Sequence, residues 1–414
     1  MTAASDGGMR SILTQPKSVW AVAFAAVIAF MGIGLVDPIL PSIAADLDAT
    51  PTETEMLFTS YLAVTGVAMF FTSWLSSRLG AKRTLMFGLA LIVLFALFAA
   101  LSNNVEAVIG FRAGWGLGNA LFISTALATI VGAASGGSSA AIILYEAALG
   151  LGIAIGPLLG GLLGHISWRG PFFGTAVLMA IGFIAILTLL KSEGKDENRP
   201  APIALSAPFK ALARPALGLL AIAALFYNMA FFVLLAYSPF PLGLDALGLG
   251  FTFFGWGVGL ALTSVFVAPM LSARLHRTTV LRLALSLLTL TLVAAGFSVH
   301  SMPALICCIV FGGLVLGVLN TVLTESVMEA TDLPRSVASS AYSGVRFVGG
   351  AIAPTAATAL AEVFGDPVPY FAAAGAALIS VVVVFAGHRV LRRVNTSISS
   401  ELEEAEAIAA GEPS

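Results

Sequence analysis

The sequence predicts an all-α membrane protein with twelve transmembrane helices in two pseudo-symmetric six-helix bundles. Three observations predict it. Of 414 residues, only 20 are Lys or Arg and 22 are Asp or Glu, while 58% are apolar; soluble domains carry about 25% charged residues. The apolar residues gather into twelve runs of about 18 to 25 residues, each long enough to cross a bilayer. Short stretches of the first six runs return in the last six at an offset near 200. A formal net charge of −2 and the lack of a basic stripe exclude nucleic acid as a partner. Cys307 and Cys308 sit side by side in an apolar run and support neither a disulfide framework nor a zinc site.

In order, the predicted spans are 19–41, 55–77, 84–101, 105–130, 139–164, 170–190, 215–239, 248–272, 280–299, 302–327, 337–362 and 368–390. Continuous apolarity without period-two alternation argues against a barrel. The first span is no cleavable signal, because a polar stretch precedes it and eleven spans follow. Residues 191–214, charged and proline-containing, form the one long polar interval and read as a cytoplasmic linker. The predicted organisation is therefore 1–190 as the amino-terminal six-helix bundle, 191–214 as linker, 215–392 as the carboxy-terminal bundle and 393–414 as an acidic cytoplasmic tail. With the amino terminus inside, 17 of the 20 bases lie at the inner side, leaving Arg169 outside and Arg112 and Arg346 within spans. The positive-inside rule then puts both termini in the cytoplasm of a cell-membrane protein.

The repeat rests on LSSRL at 75–79 against LSARL at 271–275, Tyr145 and Pro157 against Tyr342 and Pro354, and Asp37-Pro38 against Ser238-Pro239. Six helices per copy give both copies the same orientation, so the repeat axis runs along the membrane normal. Two such bundles rocking about a central cavity predict a transporter.

Charges at bilayer depth are costly and usually face a cavity or partner. Asp37 and Arg112 lie about 6 Å and about 10 Å below the outer boundary at 1.5 Å per residue, so proton or substrate coupling, a static pair and simple exposure at the mouth all fit. Glu146 has no base within a turn in sequence, which suits either a proton carrier or a structural hydrogen bond to a neighbouring helix. Arg346, at comparable inner depth, reads as a distant counter-charge, an anion ligand or a structural pair; Glu325 reads as an interfacial lock near the inner end of its span. Pro38 breaks the first span near Asp37. In GIAIGPLLGG, Gly152, Gly156 and Gly160, with Gly161 beside them, leave a smooth helix face, and Pro157 bends the helix near Glu146; a gating hinge, a seal between halves or generic packing all fit. Gly80 permits the turn after the second span, and Arg78 anchors topology or stabilises one conformation. Tyr61, Trp115, Asn119, Tyr145, Tyr227, Asn228, Phe231, Tyr237 and Trp256 are candidate lining groups of a largely apolar cavity, joined by Arg346.

Four motif regions resemble the major facilitator superfamily, and within it the twelve-helix drug:proton antiporters: DPILP at 37–41, SWLSSRLGAKRTL at 73–85, FRAGWGLGNA at 111–120 and GIAIGPLLGG at 152–161. The resemblance covers about residues 17–392 and implies the major facilitator fold, with Arg112 tied to proton coupling. Two departures stand out. Ser77 occupies the usual aspartate position of the signature loop, and Ser73 its usual glycine; Trp115 replaces a usual glutamine. The expected function is proton-coupled export of small amphipathic or lipophilic compounds, through Asp37, Arg112 and Glu146, by a monomer in the lipid bilayer. The alternatives are an exporter dedicated to one endogenous metabolite or lipid-like molecule, and a non-transporting sensor. No cofactor, metal or enzymatic constellation is expected, since His165, His276, His300 and His388 lie near loops or span ends. The proton gradient is the expected energy source.

Overall fold

A computed structural model describes residues 15–36, 39–133, 137–190 and 202–392. Twelve helices are long and apolar enough to cross a membrane: α1 Lys17–Gly34, α2 Met56–Leu79, α3 Ala81–Leu101, α4 Val105–Ala133, α5 Ala140–Gly164, α6 Gly170–Leu189, α7 Pro215–Leu242, α8 Leu247–Ser272, α9 Arg277–Ser298, α10 Met302–Glu329, α11 Arg335–Phe364 and α12 Val368–Arg389. Gly80, at φ 85°, reverses the chain between α2 and α3. The first helix stops at Gly34, short of the predicted 41, and a brief helix, Leu40–Asp46, follows. Asp37 and Pro38 lie outside the described residues, as do 191–201 of the linker and the tail from 393.

Two π-helical turns interrupt α7 and α8, at Val233–Tyr237 and Thr263–Val267. Pro239 and Pro269 follow them, and a proline ring collides with the carbonyl four residues back. Each wider turn falls where that carbonyl, of Leu235 or Val265, would lie. Pro157 and Pro354 sit inside continuous helices instead.

Packing repeats between the halves. In the first, α1 lies against α5 and α6, α2 against α4, and α3 against α4 and α6; in the second, α7 lies against α11 and α12, α8 against α10, and α9 against α10 and α12. The halves meet along two seams related by the same repeat, α2 with α11 and α5 with α8. Arg78, Lys82, Arg83, Arg274, Arg277 and Arg335 cluster at one end of the bundle, and Asp48, Glu106, Asp245 and Asp366 at the other; these are called here the basic and acidic ends.

Glycines set the closest approaches. A Cβ on Gly152, Gly156 or Gly160 would meet the carbonyl oxygens of Val27, Met31 and Leu35 at 2.4, 2.6 and 2.3 Å. The stripe therefore faces α1, inside the first half, and the close contact it permits is not with the second half. Across the α5–α8 seam the small residues are others: Gly257 meets Ala154, and Gly150 meets Ala261. Gly156→Ala is expected to destabilise the protein by about 1–3 kcal/mol through overpacking, read as a lower thermal midpoint. Gly110→Ala, with nothing within 4 Å of its added methyl, serves as the neutral control.

At the acidic end Thr50 and Glu53 form a capping box that opens the helix Pro51–Leu79, with the Thr50 amide and hydroxyl each donating to Glu53 Oε2 at 2.7 Å. The hydroxyl bond first, then the amide bond, holds the Glu53 carboxyl below its usual value of 4.5. A depressed carboxyl contributes in full above its unfolded value and loses that contribution as pH falls through the folded one. Hydrogen exchange at the first turn of this helix is expected to quicken on acidification past that point, and at neutral pH in Thr50→Ala.

Candidate functional site

Toward the basic end of the bundle a polar network joins the halves through side chains that an apolar interior must pair or expose to a cavity. Glu146, on α5, is fully buried. Its Oε1 accepts a hydrogen bond from Thr324 Oγ1 on α10 at 2.8 Å, across the seam. Its Oε2 has no hydrogen-bond partner among the described residues. Thr324 in turn stands 3.5 Å from the Tyr342 hydroxyl on α11. One turn beyond Tyr342 on the same helix is Arg346, within electrostatic reach of Glu146 and of Tyr145, Tyr227 and Tyr342. Its guanidinium carbon lies 5.9 Å from the Tyr227 ring centre and 6.0 Å from that of Tyr342. Asn228 on α7 holds Arg346 at both ends: its amide donates to the Arg346 carbonyl at 2.6 Å and its oxygen accepts from Nε at 3.4 Å. The first half thus supplies the acid and the second half the base.

A second buried charge lies toward the acidic end. Arg112, on α4, has no solvent exposure. Its guanidinium stacks over Tyr61 at 4.3 Å and Trp115 at 4.6 Å, and donates to the carbonyls of Leu57 at 3.4 Å and Gly32 at 3.3 Å. Aromatic faces and helix carbonyls supply the negative potential that water would otherwise give. The tryptophan in place of the usual glutamine therefore forms one wall of the arginine's cage. A Cβ on Gly32 would meet that indole at 2.7 Å, so the small residue makes room for it.

Two asparagines occupy equivalent places in the repeat. Asn119 on α4 and Asn320 on α10 both follow a glycine by three residues, and both glycine carbonyls accept a hydroxyl from the neighbouring helix: Thr65 to Gly116 at 3.0 Å and Ser264 to Gly317 at 3.1 Å. Asn320 accepts the Tyr227 hydroxyl at 2.7 Å, and its Nδ2 has no partner. Asn119 is fully buried with neither amide atom hydrogen-bonded among the described residues. An unpaired buried amide is rare in folded proteins. Asn320, Thr324 and Tyr342 were not among the candidates read from sequence as site residues; the Gly-x-x-Asn repeat at an offset of 201 was the available signal.

The other candidates fall elsewhere. Phe231 and Trp256 pack edge to face at 5.1 Å within the second half, and Tyr145 packs on Phe30 at 5.4 Å. Tyr237 points to the acidic end, donating to the Asp366 carbonyl at 3.1 Å and stacking on Tyr370. Glu325 pairs with Arg277 Nε at 3.5 Å, and Arg277 also pairs with Glu329. That cluster ties α9 to α10 inside the second half.

The basic end is closed by side chains of α11 donating into the first half: Arg335 to the Val131 carbonyl at 2.7 Å, Ser339 to that of Ser124 at 3.2 Å, and Ser340 to that of Met69. Ser77 and Arg78 hold the linker. Ser77 Oγ accepts from the Ile203 amide at 3.0 Å, and Arg78 donates to the Ile203 carbonyl at 3.2 Å. The serine at the usual aspartate position therefore bonds linker backbone. Toward the acidic end, Thr59 and Thr355 share a hydrogen bond of 2.7 Å across the α2–α11 seam.

Twelve spans, a two-fold repeat and a charged network split between the halves define a membrane transporter. The chain belongs to the Major Facilitator Superfamily, whose sequence pattern matches residues 22–270 and 241–410. It is 53% identical over 380 residues to the multidrug efflux protein YfmO of Bacillus subtilis, covering 92% of this chain and 93% of the relative. The crystal structure of the human organic anion transporter MFSD10 (TETRAN) shares the fold, with a TM-score of 0.68 at 16% identity over 89% of this chain and 99% of that one.

Proposed function

We propose that the protein exports small amphipathic or lipophilic compounds across the cell membrane in exchange for protons. The two halves, 1–190 and 215–392, alternate access about the network of Glu146, Thr324 and Arg346. The observation that carries this reading is the Glu146 carboxyl, fully buried, with one oxygen bonded to the other half and the other unpartnered among the described residues. Hydrogen bonds to an ionised acceptor are roughly twice as strong as those to a neutral one. A proton arriving on Glu146 therefore loosens its hold on Thr324 and its attraction to Arg346, and the seam can part. Proton loss on the other side restores both contacts. Arg112, caged by Tyr61 and Trp115, forms the second coupling point, with Asp37 its proposed acidic partner.

The relative's description as a multidrug efflux protein suits apolar substrates of varied shape. By the positive-inside rule the basic end, and both termini, face the cytoplasm. In this reading the two halves of one chain enclose the path, and the monomer is the working unit. The unpaired amides of Asn119 and Asn320 favour a second reading, an exporter dedicated to one hydrogen-bonding metabolite. The test is flux in proteoliposomes over a broad substrate panel under an imposed pH gradient. Broad substrate-dependent proton movement supports multidrug exchange, and a response to one compound supports the dedicated exporter. No substrate-dependent proton movement would exclude proton-coupled export.

A further inference from the structure

At the basic end a cavity of about 570 Å³ opens between α2, α3, α4, the linker and the start of α11. It is separate from the central network, and its chemistry is one-sided. Among the described residues no Asp or Glu lines it, and the charged group in its wall is Lys82. That ammonium has three N–H donors. Two are spent on the carbonyls of Leu187 at 2.8 Å and Leu190 at 2.5 Å, which leaves one. Two long helices begin on the cavity without side-chain caps, α3 at Ala81 and α11 at Arg335, with Ala81 and Ser336 in the wall. Uncapped N-termini present free amides and the positive end of the helix dipole. Independently of those termini, Ser73 and Thr125 line the same wall, are buried to 1% and 4% exposure, and have hydroxyls with no hydrogen-bond partner among the described residues. Buried hydroxyls left unpaired carry a desolvation cost that a ligand oxygen would remove.

We infer that this cavity binds a phosphate-type oxyanion through the Lys82 ammonium, the first-turn amides of α3 and α11 and the hydroxyls of Ser73 and Thr125. The anion contacts the first half through most of these groups and the second half through the first-turn amides of α11 beside Ser336. A ligand that touches both halves in one arrangement favours that arrangement by its differential affinity. Bound anion therefore holds the basic end closed. The chemistry admits two sources, free phosphate and a phospholipid headgroup.

Calorimetry with inorganic phosphate on the purified full-length protein in uncharged detergent is expected to show saturable binding. Ser73→Ala combined with Thr125→Val removes no existing hydrogen bond of those hydroxyls and is expected to weaken binding about tenfold. Absence of saturable binding, or equal affinity in the double variant, overturns the proposal. Labelling of the wild type gives a readout that needs no variant: phosphate is expected to slow acylation of Lys82, and an unchanged rate overturns the proposal. Repeating the titration in nanodiscs with and without phosphatidylglycerol distinguishes the sources. Loss of phosphate binding in the anionic bilayer identifies a headgroup at the site, and retention identifies the free ion.

Discussion

Glu146→Gln is expected to reduce pH-gradient-driven flux to the level measured without a gradient, while the protein still inserts and folds. The amide is nearly isosteric and keeps an oxygen for Thr324 Oγ1, which donates to Oε1 at 2.8 Å in the wild type. It cannot gain or lose a proton in the working range, so the strength of the seam contact no longer follows pH. Removing the charge also removes the attraction to Arg346, which belongs to the other half. Exchange of substrate for substrate should persist, because it needs no net proton movement, and this separates lost coupling from lost folding. Thr324→Val supplies the graded companion. It deletes one hydrogen bond to a carboxylate, about 1.5–3 kcal/mol, and so moves the balance between open and closed seams by about ten- to a hundredfold. Coupled flux should fall but keep its pH dependence. If Glu146→Gln transported like the wild type under a gradient, the carboxyl would be structural and coupling would rest with Arg112 and Asp37.

The fold was legible because lipid leaves a chain few choices. Twelve apolar runs of bilayer length can only be spans, and eleven of the twelve predicted segments end within a few residues of a helix end; the first stops early, at Gly34. Buried charge was legible for the same reason, and Arg112, Glu146 and Arg346 stood out against apolar neighbours. Direction around a helix was not. The glycine stripe of α5 showed that something approaches closely, yet every face of that helix carries small or apolar residues, so sequence did not say that α1 is the neighbour. Neutral polar groups were equally hard to sort. Asn320 and Thr324 resemble the many threonines that merely bond their own helix four residues back, as Thr321 does to Gly317 at 3.1 Å. Tyr237 had the composition of a cavity residue and bonds at the acidic end, because it lies in the last turns of α7 within reach of Asp366. The serine for aspartate exchange at 77 raised the prospect of hydroxyl bonding, but the linker backbone as its partner required the fold.

Asn119→Leu is expected to raise thermal stability and lower transport together, a combination that separates a functional polar residue from a structural one. A buried hydrogen-bonded asparagine loses stability when truncated, because its partners are left unpaired. Asn119 has no such partner to strand: it is fully buried, and both Oδ1 and Nδ2 are unsatisfied among the described residues. Each unpaired polar group costs about 1–3 kcal/mol relative to an apolar group of similar shape, so the leucine variant should gain about 3 kcal/mol, read as a higher melting midpoint in detergent. Its repeat equivalent makes the internal control. Asn320→Leu strands the Tyr227 hydroxyl, which Asn320 accepts at 2.7 Å, and should lose stability. In flux assays Asn119→Leu should slow substrates that carry a hydrogen-bonding group by about tenfold, the value of one such bond, and leave purely apolar substrates nearly unchanged. A stability loss in Asn119→Leu would show that the amide is paired in the membrane and belongs to the packing of α4. Equal flux across the panel would remove Asn119 from the substrate path, leaving Glu146 and Arg346 as its polar floor.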